Sequence, residues 1–235
     1  LKSEAARKLG RQDDLMFDSE SMSLLYSGSR NRLYMPIGAF RAPIFFEHGP
    51  VAYNYGALGT MVGHTLMHAI DLRGIVVESD GRGFYDMADL REYYEGRLPC
   101  LRGLLNDSRP QVPGIDTNTT GLHVVHDSEN LASVEGTRIA YFAYRKETEG
   151  LSDPRMPWTH PEHGGYSAEQ LFFVAHCAPL CGFKEGPTFL GDDLGRSRCL
   201  RPLMNMREFA DAFNCPLGSF MNPPDKCAIF DYVDG

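Results

Sequence analysis

The chain has 235 residues, of which 43% are hydrophobic and 23% charged, enough apolar material for one large or two small domains with a true core. Its net charge of −8, from 31 Asp and Glu against 23 Lys and Arg, argues against a nucleic-acid partner, because phosphate binding needs clustered basic residues. Simple solubility accounts for that acidity.

No stretch reaches the roughly 18 uninterrupted apolar residues of a membrane span. The opening LKSEAARKLGRQDD is polar throughout and carries no secretory leader. Starting at Leu1, the chain reads as a fragment or processed piece, so that opening is silent on compartment. Residues 1–20 have the charge of a helix end. From Ser23 to Phe46, apolar, β-branched and aromatic residues are broken into short strands by Ser27-Gly28-Ser29 and by Pro36. Residues 54–71, NYGALGTMVGHTLMHAID, form the clearest helix, with no proline inside. A loop with a strand in its middle covers 71–86, a helix 86–106, and a Pro-, Asp- and Asn-rich loop 106–118. Helical spacing returns over 127–147. Prolines and glycines make 150–166 a surface connection. A helix starts near Ala168 behind the N-cap Ser167, and after a loop a last one lies near 206–214. The expectation is a predominantly helical α+β fold in one domain over 1–235.

Six cysteines, Cys100, Cys177, Cys181, Cys199, Cys215 and Cys227, contain no CxxC pair and suit disulfides better than a zinc ribbon. Two glycosylation sequons, at Asn106 and Asn118, fall in the turn-rich stretch. Together they favour an extracellular setting.

His64 and His68 stand one helical turn apart, so both imidazoles can reach one ion. Alone, the pair also fits two polar residues on a half-buried helix. Asp71, one turn beyond His68, is placed to accept the second ring N–H of a metal-bound imidazole. Glu129, at the start of the helix over 127–147, is the candidate third ligand. Two His and a carboxylate leave an open fourth position, the pattern of a catalytic zinc site.

Five segments then resemble, in order, the neprilysin-type (M13) zinc metallopeptidase family. NYGALGTMVGHTLMHAID resembles its NYGxxGxxxGHExxHxxD, and SENLASVEG its GENIADxGG, which supplies the third ligand. LLYSGSRNRLYMPIGAFRAPIFF is similar to NAxYxPxxNxIxxPAGxLQxPFF, EQLFFVAHCAPLCG to QLFFxxxAxxWCG, and FADAFNCPLGSFMNPPDKC to FxxAFxCxxGSxMNPxxKC. The resemblance implies a thermolysin-like zinc-helix domain with a small sheet, zinc as cofactor, peptide substrates and an extracellular location. It implies a Cys100–Cys227 disulfide, and partners for Cys181 and Cys215 near the start of the ectodomain, outside this chain, as is most of the helical cap. Cys177 and Cys199 have no counterpart; they pair with each other or remain reduced thiols.

The departures bear on activity. Thr65 stands where the family has the glutamate that takes a proton from the attacking water, and a hydroxyl is no base near neutral pH. Ser133 replaces an aspartate that orients a zinc histidine, which should weaken zinc binding. Counting back from Arg198, the oxyanion-stabilising histidine becomes Asp192, of the wrong charge for that role. The substrate-holding Asn-Ala pair aligns with Ser23 and Leu24, while the carbonyl-binding Arg198 is kept. The leading expectation is a catalytically impaired pseudopeptidase that binds zinc and either peptides or an extracellular protein partner. The alternatives are an active zinc metalloendopeptidase cleaving short peptides, and a structural remnant with no ligand.

Overall fold

A computed structural model describes residues 22–76, 88–103, 120–150, 159–160, 164–181, 193–227 and 229–230. The sequons at Asn106 and Asn118, the loop over 106–118, Asp192 and residues 1–20 lie outside the described residues, as does most of the strand expected within 71–86. The fold is predominantly helical with small sheets, as the sequence indicates. Among the described residues, no helix is long and apolar enough to cross a membrane.

Strands β1 (Leu25–Ser27) and β2 (Arg32–Tyr34) form an antiparallel hairpin in the register Leu25↔Tyr34, Tyr26↔Leu33 and Ser27↔Arg32. Asn31 closes its turn at φ 48, a left-handed position that asparagine tolerates, and its side chain accepts a hydrogen bond from Tyr26 Oη at 2.7 Å. Next comes one continuous rod: α1 (Val51–Asn54), a π turn (Tyr55–Gly59) and α2 (Thr60–Met67). It begins earlier than the expected residue 54, because Pro50 presets the entry and the Asn54 side chain clasps both main-chain polar atoms of Phe46. It ends earlier than the expected residue 71. From His68 onward the amides of His68, Ala69 and Ile70 turn to carbonyls three residues back, and the chain folds over into a 3-10 turn at Gly74–Val76.

Helix α3 (Ala88–Gly103) falls within the expected 86–106. Helix α4 (Thr120–Thr148) is longer than its periodicity indicates, so Glu129 sits well inside it rather than at its start. The connection over 150–166 holds a two-residue hairpin, β3 (Thr159–His160) with β4 (Gly164–Gly165). Helix α5 (Ala168–Cys177) opens with a full capping box: Ser167 Oγ accepts from the Gln170 amide, and the Gln170 side chain accepts from the Ser167 amide. Helix α6 (Asp193–Met204) occupies a stretch that reads as loop from sequence, and α7 (Arg207–Ala212) closes the set. Gly195 and Pro202 obscure α6, yet Pro202 is accommodated inside it.

Two cores flank α4. On one side Phe172, Phe173, Tyr141, Tyr144 and Phe209 stack in edge-to-face and parallel pairs. On the other, Met67, Tyr94, Leu98, Leu131 and Ile229 enclose Cys227. Cys100 and Cys227 are joined in a disulfide, with Cα atoms 5.7 Å apart across 127 residues of sequence. Cys177 and Cys199 also pair, settling the alternative left open by the sequence. Cys181 and Cys215 are thiols without a disulfide partner in this chain. Closing the 127-residue loop between Cys100 and Cys227 should stabilise the fold by about 5 kcal/mol. Cys100→Ser is therefore expected to lower the thermal midpoint clearly under oxidising conditions, and an unchanged midpoint would argue against this pairing.

Candidate metal centre

The site forms where α2 crosses α4, and two glycines make the crossing close. A Cβ on Gly63 would lie 2.3 Å from the Gly136 carbonyl oxygen, and one on Gly136 would lie 2.4 Å from the His64 amide nitrogen. With backbones this near, His64 on α2 and His68 at its C-terminal cap face Glu129 and Ser133, which stand two turns and one turn before Gly136 on α4. The three candidate ligand atoms lie within 4.8 Å of one another. His64 Nε2 is 3.4 Å from one Glu129 oxygen, and His68 Nε2 is 3.7 Å from the other. A tetrahedral zinc with bonds near 2.1 Å separates its ligand atoms by roughly 3.4 Å, so the donor set and its spacing fit that ion.

Each imidazole is held in the tautomer such an ion needs. Ser133 Oγ donates to the Glu129 main-chain oxygen at 2.8 Å, which commits its proton. The hydroxyl oxygen, 3.2 Å from His64 Nδ1, therefore accepts the Nδ1–H and leaves Nε2 with a lone pair facing the cleft. Asp71 does the same for His68 at 2.7 Å, with its other oxygen accepting from the Arg73 and Gly74 amides, both at 2.8 Å. Asp71 is completely buried behind the histidines. Burial pushes the His64 imidazole below its ordinary range, and the nearby Arg198 and His68 charges push the same way. The His64 ring beside it, followed by the His68 and Arg198 charges, holds the Glu129 carboxyl at about 2 despite partial burial. Neutral imidazole and ionised carboxylate are the forms that coordinate metal.

These residues line a cleft of about 1000 Å³, and Ser23, Leu24, Thr65 and Arg198 line it too. Thr65 turns its hydroxyl back along its own helix, donating to the Met61 carbonyl at 2.8 Å. The Arg198 guanidinium donates to that same His64 Nε2 lone pair at 2.7 Å, a contact that a metal ion bound to His64 would displace. Among the described residues lining the cleft, the carboxylates are Glu129 and Asp71, and both are engaged with the histidines.

Residues 24–229 match the profile of peptidase family M13. The chain belongs to peptidase family M13. Among M13 relatives, Neprilysin-1 of Caenorhabditis elegans is 30% identical over 225 residues, covering 89% of this chain and 28% of that protein. Human endothelin-converting enzyme 1 is 29% identical over 233 residues, covering 95% of this chain and 29% of that one. The chain thus spans under a third of the length of these relatives. The zinc metalloprotease Zmp1 of Mycobacterium tuberculosis, solved with an inhibitor, superposes with a TM-score of 0.66 at 20% identity, over 85% of this chain and 31% of that one. That likeness shows the thermolysin-like M13 fold.

One residue of the cleft was not singled out from the sequence. His176 is 6% exposed on α5, and its Nε2 donates to the Arg198 main-chain oxygen at 3.2 Å. A lone histidine in the apolar run LFFVAHCAPL is its only sequence signal. Burial pushes this imidazole down to about 4, so the folded protein keeps it neutral. In the unfolded chain it titrates near 6.5. Above about pH 6.5 the group therefore adds no pH dependence. Between about 6.5 and 4 only the unfolded state gains the proton, weakening the fold by up to about 3 kcal/mol. Urea melts across this range should show that slope, and His176→Leu should flatten it.

Proposed function

We propose that the complete protein is an extracellular M13-type pseudopeptidase that holds zinc through His64, His68 and Glu129 and binds peptides without cutting them. The observation that carries this reading is the state of position 65. The family's proton-accepting glutamate is replaced by a threonine whose hydroxyl is bonded to its own helix, and the cleft offers no spare carboxylate among its described residues. When bound, zinc supplies a Lewis acid for a peptide carbonyl. Arg198 contacts that carbonyl, while Ser23 and Leu24 meet the peptide backbone with one hydroxyl and one bulky apolar side chain in place of the family's amide and methyl. Residues 1–235 form the zinc-site domain, with the rest of the family's ectodomain supplied by the complete protein. The two disulfides and the sequons at Asn106 and Asn118 suit an oxidising, glycosylating compartment, secreted or anchored at a membrane.

The second reading, an active zinc metalloendopeptidase, draws on the intact ligand trio and on Arg198. It requires a base supplied from outside the described residues.

Ser133 keeps the His64 tautomer with a neutral acceptor, where an aspartate would add charge. Equilibrium dialysis of the complete protein should therefore show one zinc per chain, lost in His68→Ala. Ser133→Asp should tighten binding on the order of tenfold. Absence of zinc from the unaltered protein at micromolar metal would support the structural-remnant reading instead.

A further inference from the structure

The Cys177–Cys199 disulfide, which no segment of family resemblance implies, bears on the cleft through its neighbours. Its cysteines immediately adjoin His176 and Arg198 in sequence. The bond ties the C-terminal end of α5 to the middle of α6, with Cα atoms 4.9 Å apart. Beside it, the buried His176 Nε2 donates to the Arg198 carbonyl at 3.2 Å. The Arg198 main chain is thus held from two directions, by a covalent bond at the next residue and a buried hydrogen bond at its own oxygen. From that anchorage its side chain crosses the cleft wall to place a guanidinium nitrogen 2.7 Å from His64 Nε2. An arginine head ends a long flexible stem, so its position in a site is only as definite as the backbone that carries it.

We propose that the Cys177–Cys199 disulfide and His176 form a brace that positions Arg198 at the metal centre for contact with a bound peptide. This rests on the reading above that Arg198 contacts peptide in the cleft. His176, Cys177 and Cys199 are positioning residues that act through Arg198. A purely stabilising disulfide would affect binding whether or not Arg198 is present; the brace has an effect only when it is.

The test is a double-mutant cycle on the complete, zinc-loaded protein. Its readout is the Kd for an N-terminally fluorescent peptide with an internal leucine, measured by anisotropy. Cys177→Ser with Cys199→Ser should weaken binding on the order of tenfold when Arg198 is present, because small misplacements of a contacting group are costly. In an Arg198→Ala background the same serine pair should change Kd by less than about twofold. A second pair leaves the disulfide intact and keeps the test usable where the serine variant fails to fold. His176→Leu should weaken binding in parallel, whereas His176→Gln, which retains a donor, should bind nearly as the unaltered protein does. Equal effects with and without Arg198, or no effect at all, would overturn the brace while leaving the peptide-binding reading in place. No saturable binding by the unaltered protein would overturn that reading and the brace with it.

Discussion

Thr65→Glu in the complete, zinc-loaded protein is expected to produce chelator-sensitive cleavage of short peptides, at a rate at least ~10²–10⁴ above that of the unaltered protein. Residue 65 follows the first metal-side histidine on α2 and lines the cleft, whose volume of about 1000 Å³ accommodates a longer side chain. The threonine hydroxyl spends its proton on the Met61 carbonyl and cannot accept one from water at neutral pH. A glutamate there is ionised at neutral pH and supplies the base that Glu129 and Asp71, both engaged with the histidines, cannot. The gain should appear in turnover more than in peptide affinity, since the group works on the reacting water. A variant that binds one zinc yet turns over nothing would locate the limiting defect elsewhere, at Ser23 and Leu24 or at Asp192.

The second large effect is expected at the crossing of α2 and α4. Gly136→Ala would set a methyl carbon 2.4 Å from the His64 amide nitrogen, an atom fixed in a helix backbone. The helices must separate, moving Glu129 and Ser133 away from the imidazoles they face. Overpacking of this kind costs up to about 3 kcal/mol, which lowers the melting temperature by roughly 5–10 °C in a protein of this size. Zinc affinity should fall at least tenfold, because loss of ligand geometry exceeds the usual cost of losing an orienting partner. Gly63→Ala, facing the Gly136 carbonyl at 2.3 Å, should reproduce both changes. Melting and zinc binding that match the unaltered protein in both variants would contradict a ligand set assembled by this contact.

The histidine pair was legible in the sequence because α2 is an amphipathic helix whose four-residue spacing is a local property. Asp71 was legible for the same reason, although it acts from a turn beyond the helix end rather than from its face. The third candidate ligand was not legible from geometry, since Glu129 lies on another element and only the resemblance of SENLASVEG pointed to it. What brings it to the histidines is the Gly63–Gly136 contact, a long-range fact that no local pattern records. Helix α6 was hidden by Gly195 and Pro202, two residues that usually end helices, and with it the element carrying Arg198. His176 was obscured differently: a single polar residue in an apolar helix has the pattern of a core position, and its tie to Arg198 comes from the folded chain.

The most direct test of the account is hydrolysis of a quenched fluorescent peptide with an internal hydrophobic residue by the unaltered complete protein. Turnover is followed first with zinc and then with chelator, and zinc content is measured in the same sample. The account expects one zinc per chain and no turnover in either condition. Chelator-sensitive turnover by the protein with Thr65 in place would contradict it and show that a base reaches this cleft from another part of the molecule.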